Sequence, residues 1–211
     1  RTAVFLCSLL NGTTVALHQV DQRIRIALPN KGRLSERALQ LFDQAGLKPA
    51  FRVDRALVAS LGDDFQAIFV RAADIPEYVA DGAADLGVTG LDLVEESGRS
   101  VERVLDLGFG RCRLVVAVCD ESIATSATDI AAGTRVATSF PRIASRYFET
   151  LGIPIEIAPV SGSTEIAPHL GVADVIVDLT STGSTLRVNG LREIDTILDS
   201  SARLIARKGS L

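Results

Sequence analysis

Asp174–Leu186 reads DVIVDLTSTGSTL. An apolar, β-branched run, Val175–Val177, ends on the carboxylate of Asp178. Six of the next seven residues are Thr, Ser or Gly: Thr180, Ser181, Thr182, Gly183, Ser184 and Thr185. The apolar run predicts a buried strand, the hydroxyl-rich stretch a tight polar loop, and Leu186–Val188 a helical turn. A strand feeding a loop and then a helix start turns several backbone N–H groups towards one point. Hydroxyls add further donors, and the helix terminus adds partial positive charge. A phosphate monoester needs such a cradle. An acid at the strand end is placed to accept hydrogen bonds from ribose hydroxyls. The same residues also describe a capped surface loop; Asp178 favours the sugar-phosphate reading.

Outward from this unit, strands and helices alternate. Ile24–Leu28 is a strand candidate, and Leu34, Ala38, Leu41, Phe42 and Ala45 recur at helical spacing up to Gly46. Ala67–Val70, Leu86–Val88 and Val101–Leu107 read as strands, separated by short helices at Ile75–Ala80 and Leu91–Glu96. A second group follows: strands at Leu114–Val118, Arg135–Thr138, Ile153–Ile157 and Val175–Val177, with a Pro-initiated helix at Pro141–Leu151 and a helix at Thr164–Leu170. Leu191–Leu198 and Ala202–Ala206 close the pattern. The order predicts an α/β chain of two lobes, with a cleft between two mixed sheets. Crossings are expected near Gly108–Gly110 and Thr185–Gly190. Lobe I is then 23–109 plus 186–211, and lobe II is 110–185. Residues 1–22 read as an N-terminal extension.

Composition limits the function. The chain has 211 residues, 47% of them apolar, and a formal net charge of −4. That balance argues against nucleic acid as a partner, and the absence of Trp leaves little to stack on bases. Anionic ligands must therefore be held by a few local cations and backbone amides. Three cysteines without CxxC spacing and two histidines give a zinc site almost no material, and they read as reduced thiols in a cytosol. Cys112 and Cys119 are expected in the core. The apolar stretch Ala3–Leu10 is too short to span a membrane.

Two further segments carry chemistry. In Leu28–Leu34, LPNKGRL, Lys31 and Arg33 flank Gly32 where a strand turns into a helix, which reads as an anion clamp or a solvated basic turn. In Arg71–Gly90, RAADIPEYVADGAADLGVTG, Gly82, Gly87 and Gly90 punctuate a helix–strand–turn unit; such glycines permit close backbone approach or serve as ordinary loop punctuation.

PNKGRL, RAADIPEYVADGAADLGVTGLD and SGSTEIAPHLGVADVIVDLTSTGSTLRVNGL together resemble the ATP phosphoribosyltransferase family, from about Arg23 to Arg207. The loop also echoes the phosphoribosyl-pyrophosphate motif of common phosphoribosyltransferases, but Asp178-Leu179 stands where those carry two adjacent acids. The resemblance implies a periplasmic-binding-protein-like (type II) fold. It implies transfer of the phosphoribosyl group to N1 of ATP, with Mg²⁺ held mainly by substrate rather than by protein ligands. Carried over by position, Arg33 and Arg55 are the expected catalytic cations. Lys31, Arg71, Gly90 and Asp92 are expected at ATP and pyrophosphate. Glu165, Asp178 and Thr180–Thr185 are expected at phosphoribosyl pyrophosphate. The short form of the family, without a histidine-sensing domain, implies a cytoplasmic homodimer working with a regulatory subunit that resembles histidyl-tRNA synthetase. A solute-binding protein of the same shape, or another phosphoribosyltransferase, is the alternative.

Overall fold

The computed structural model describes residues 23–47 and 57–210. Arg55, Cys7, His18 and the 1–22 extension lie outside them. Two mixed sheets are present. The first has six strands: β1 (Ile24–Pro29), β2 (Val58–Leu61), β3 (Phe65–Val70), β4 (Leu86–Gly90), β5 (Val101–Asp106) and β11 (Ala202–Arg207), in the order β2-β3-β1-β4-β11-β5. The second has five: β6 (Cys112–Cys119), β7 (Thr134–Thr138), β8 (Ile155–Pro159), β9 (Val175–Thr180) and β10 (Leu191–Ser200), in the order β10-β6-β9-β7-β8. Parallel pairing at β3-β1-β4 and β9-β7-β8 combines with antiparallel strands beside them.

Each sheet is covered on both faces. On β6, Leu114, Val116 and Val118 enter one core with Phe140, Ile143 and Phe148, while Val115 and Ala117 enter another with Ile176, Leu186 and Leu191. On β1, Ile26 and Leu28 pack with Phe69 and Val88, while Ala27 meets Ile75, Val79 and Ile205. Burial on both sides explains why these strands read as continuous apolar runs. Gly87 lets helix α2 (Ile75–Ala80) lie close on β4: a Cβ there would stand 2.5 Å from Ile75 Cγ2.

The outward crossing runs through Leu107–Arg111. The return differs from the sequence reading. Where Thr185–Gly190 was expected, β10 stays in the second sheet beside β6, and the chain re-enters the first sheet between Ser200 and Ala202. The helical turn after the loop packs on its own lobe and does not lead out of it, because Leu186 and Leu191 are part of that lobe's core. The Thr164–Leu170 helix is reduced to a 3-10 turn at Thr164–Ile166 followed by turns. β2, which the sequence reading left out, is an edge strand with Val58 half exposed.

The lobes also touch through α3 (Leu91–Ser97) of the first and α4 (Pro141–Thr150) of the second. The residue preceding α4, Phe140, has no side-chain oxygen to cap the helix. Both oxygens of Glu96, from α3, accept instead from the N–H groups of Arg142 and Ile143, at 3.0 Å each. Glu95 pairs with Arg103 of its own lobe and Arg146 of the other, both at 3.0 Å. A carboxylate on a helix N-terminus satisfies orphan donors and meets the positive end of the dipole. Glu96→Ala is expected to lower stability by about 1 kcal/mol in urea unfolding; an unchanged midpoint would show that water replaces the cap at no cost.

Candidate active site

The cleft between the lobes encloses about 600 Å³. Lys31, Gly32, Leu34 and Arg37 line it from the start of α1 (Arg33–Gln44), and Ala72, Gly90 and Asp92 from the strand ends of the first sheet. From the second lobe come Arg111, Cys112, Leu179, Thr180 and Ser181. Lys31, Gly90, Asp92, Thr180 and Ser181, all singled out in the sequence, line this one cavity. Arg33 opens α1. Arg71 is exposed at the end of β3 beside cleft-lining Ala72. Thr182, Gly183, Ser184 and Thr185 continue the loop beyond the cavity wall.

Hydrogen bonds within the loop set its shape. The buried hydroxyl of Thr180 accepts from the N–H of Gly183 at 2.8 Å. The hydroxyls of Thr182 and Ser184 pair at 2.9 Å, and Ser184 N–H reaches Thr182 Oγ1 at 3.4 Å. Gly183 has φ +72°, which a residue with Cβ adopts only under strain. A Cβ there would stand 2.9 Å from Nη1 of Arg187, which lies over the loop. Asp178 accepts from the N–H of Leu179 at 2.7 Å. Burial pushes its carboxyl above the usual range; Leu179 N–H and the Thr164 hydroxyl pull it back, and Glu165 pushes it up again. Asp178 and Glu165 thus form a pair of acids at the end of β9.

Across the cleft, Asp92 is 5% exposed in the first turn of α3. Its carboxylate accepts from the hydroxyl of Ser200, and its N–H donates to the same oxygen at 3.1 Å. Burial raises its proton affinity, which Ser200 and the local backbone offset in part. Gly90 is required beside it, since a Cβ there would fall 2.3 Å from Asp92 Oδ1. Thr89 fixes the end of β4 by donating to the carbonyl of Ala72 at 2.7 Å.

Three residues escaped the sequence reading. Arg37 lies one turn beyond Arg33 on α1, so helical spacing would have found it. Arg111 follows directly on the outward crossing, where any side chain has the cleft as its neighbour. Cys112, expected in the core, lines the cleft instead. Cys119 keeps the core role in part: it is half-buried against the second lobe's apolar cluster, and burial raises its thiol.

Residues 71–211 match the ATP phosphoribosyltransferase (HisG) family. An ATP phosphoribosyltransferase of Gemmatimonas aurantiaca is 64% identical over 185 residues, covering 86% of this chain and 63% of that protein. The chain thus spans less than two thirds of that curated relative. The ATP phosphoribosyl transferase (HisG:HisZ) complex from Thermotoga maritima contains a chain similar in structure, with a TM-score of 0.76, 31% identity and 87% coverage of both chains. A putative L-cystine ABC transporter protein from Listeria monocytogenes shares the fold at a TM-score of 0.58 and 14% identity, covering 90% of this chain and 84% of that one.

The Asp92 carboxyl yields a stability test. Its proton affinity is higher in the folded chain than in the unfolded one, so its contribution to stability is present at low pH and lost as pH rises. Asp92→Asn keeps an acceptor for Ser200 and removes the buried charge. The variant is expected to gain about 0.5–2 kcal/mol at neutral pH, with the gain vanishing towards about pH 4. Urea unfolding across that range measures it; a loss of stability at neutral pH would mean the fold uses the charge.

Proposed function

Since the chain belongs to the ATP phosphoribosyltransferase family, we propose that it transfers the phosphoribosyl group of phosphoribosyl pyrophosphate to N1 of ATP and releases pyrophosphate, the first step of histidine biosynthesis. The observation that supports this most is the opposition across one cleft of two different ligand surfaces. One is an acid-then-hydroxyl loop suited to a sugar phosphate, with Arg111 on its own side; the other carries the cations Lys31 and Arg37, suited to polyphosphate. Both substrates are anionic, and the chain as a whole is too. Binding thus rests on these local charges and on backbone N–H groups.

The reaction needs alignment and charge neutralisation more than a base. A ring nitrogen attacks C1 of the ribose directly as pyrophosphate leaves, and the ribose carbon gains cationic character. Asp178 and Glu165 hold the ribose hydroxyls, and their charge favours that carbon. Thr180–Thr185 hold the 5′-phosphate. Lys31, Arg33, Arg71, Gly90 and Asp92 serve ATP and the departing pyrophosphate, with Arg55 assigned by position alone. Among the described residues no three His, Cys, Asp or Glu side chains converge as a metal cage. Mg²⁺ usually keeps several waters and would be held here mainly by substrate phosphates. When bound, the ion neutralises pyrophosphate oxygens.

The test is to incubate the pure chain with ATP, phosphoribosyl pyrophosphate and Mg²⁺ and follow the phosphoribosyl-ATP chromophore. No product would overturn the reading. Gly183→Val forces a β-branched residue into the left-handed region, about 1–2 kcal/mol of strain, and sets its Cβ against Arg187. If the loop relaxes by that amount, affinity for phosphoribosyl pyrophosphate falls about tenfold with KM for ATP little changed. Unaltered affinity in calorimetry would remove the loop from the site.

We further propose the short-form assembly: a cytosolic homodimer with a regulatory subunit of the kind named for the Thermotoga complex. The likeness in structure to a chain of the Thermotoga complex supports the regulatory partner. Histidine is expected to leave the pure chain active. Adding the synthetase-like subunit should raise the mass in light scattering and confer inhibition. Saturable inhibition by histidine without a partner would refute the assembly.

A further inference from the structure

Residues 179–186 carry no charge, and Arg187 is the first charged side chain after Asp178. The loop proposed for the 5′-phosphate therefore offers only hydroxyls and backbone N–H groups, beside the acids Asp178 and Glu165. A phosphate monoester carries a charge of about −1.5 to −2 at neutral pH. Neutral donors can orient it, but next to two carboxylates its charge calls for a cation.

Arg187 lies four residues beyond Gly183, on the short helix α5 (Ser184–Val188). Side chains on a helix lean towards its N-terminus, and residues four apart share a face. The Arg187 side chain accordingly runs back to the loop: a Cβ on Gly183 would stand 2.9 Å from its Nη1 and 3.9 Å from its Cζ. The missing Cβ leaves that space to the guanidinium. A cation in the last turn of a helix commonly serves the C-terminal carbonyls; the Arg187 guanidinium lies at the other end of α5. Among the described residues no carboxylate pairs with it, and the side chain is exposed.

Neighbouring cations are engaged elsewhere. Arg113, opposite Thr180 on β6, is held by Glu193 of β10 through contacts of 2.7 and 2.9 Å. Arg111 stands at the Ser181 end of the loop, where the Ser181 hydroxyl reaches its carbonyl at 3.5 Å, and its own Nε turns to the carbonyl of Gly108 at 3.5 Å. Resting on the function proposed above, we infer that Arg187 is a binding residue for the 5′-phosphate of phosphoribosyl pyrophosphate: its guanidinium, seated over Gly183, supplies the positive charge that the loop itself lacks. A guanidinium presents its donors as a fork that matches two phosphate oxygens.

The experiment compares Arg187→Gln, which keeps a polar side chain of similar reach and removes the charge, with Arg187→Lys, which keeps the charge. KM for each substrate and kcat are measured, and ribose 5-phosphate and inorganic pyrophosphate are each titrated as competitors of phosphoribosyl pyrophosphate. For the glutamine variant, KM for phosphoribosyl pyrophosphate is expected to rise about tenfold, with kcat and KM for ATP little changed. The inhibition constant of ribose 5-phosphate should rise by the same factor, and that of pyrophosphate should stay where it was. The lysine variant should recover most of the loss. An unmoved KM for phosphoribosyl pyrophosphate, a parallel rise in KM for ATP, a shift for pyrophosphate in place of ribose 5-phosphate, or a lysine variant no better than glutamine would each overturn the inference. An unaltered chain that forms no product would overturn the proposed function itself. Calorimetry of ribose 5-phosphate binding to the unaltered and glutamine chains reads the Arg187 contact whether or not product forms, so the two failures are told apart.

Discussion

The buried bond between Ser200 and Asp92 joins the place where the chain changes sheets to the place where the cleft begins. Ser200 ends β10, and the next residues enter the first sheet. Beside it the two crossings are paired by backbone: Leu107 N–H to Ala202 O and Ala202 N–H to Phe109 O, both at 2.9 Å. Ser201 contributes its carbonyl to Leu91 N–H and its hydroxyl to Asp106. Asp106 also receives Gly108 N–H and pairs with Arg203, and together these hold its carboxyl at about 2. A polar backbone crossing between two apolar cores must have its donors and acceptors met locally. These bonds meet that demand and fix the angle at which two sheets present their strand ends.

Site chemistry follows from that geometry. Strand ends of both sheets open onto one gap, so residues distant in sequence, such as Lys31 and Thr180, line one wall and the other. The charges within it are few. Asp92 and Asp178 each carry a carboxyl raised by burial. The hydroxyl of Ser200 holds the first and the N–H of Leu179 the second, donors that favour the carboxylate where desolvation favours the neutral form.

Much of this was legible in the chain. β6 and β9 read clearly because both faces are buried and their apolar runs, Leu114–Val118 and Val175–Val177, are unbroken. The loop read clearly because a strand, an acid and six small polar residues occur in order. The return crossing was not legible, because β10 is evenly half-buried along most of its length and its sheet is set by pairing with β6, a contact far away in sequence. β2 was missed because it has four residues at an edge with one face in solvent. The burial of Thr164 was hidden for a different reason: nothing in SGSTE announces that Ser163 takes a left-handed conformation. Arg37 and Arg111 needed only the fold, since helical spacing and the crossing already placed them.

The Glu96 cap on α4 constrains how the two lobes can move. A body fastened at a single hinge is free to twist and to bend. Here each lobe is held at the paired crossings and again where α3 meets α4. Two points of attachment define a line, and rotation about that line is the soft motion left to the pair. Twisting would pull both Glu96 oxygens from their amides at once, whereas rotation about the line leaves them seated. The cleft then widens like a book along its free edge, the one side on which a ligand can be admitted without breaking either attachment.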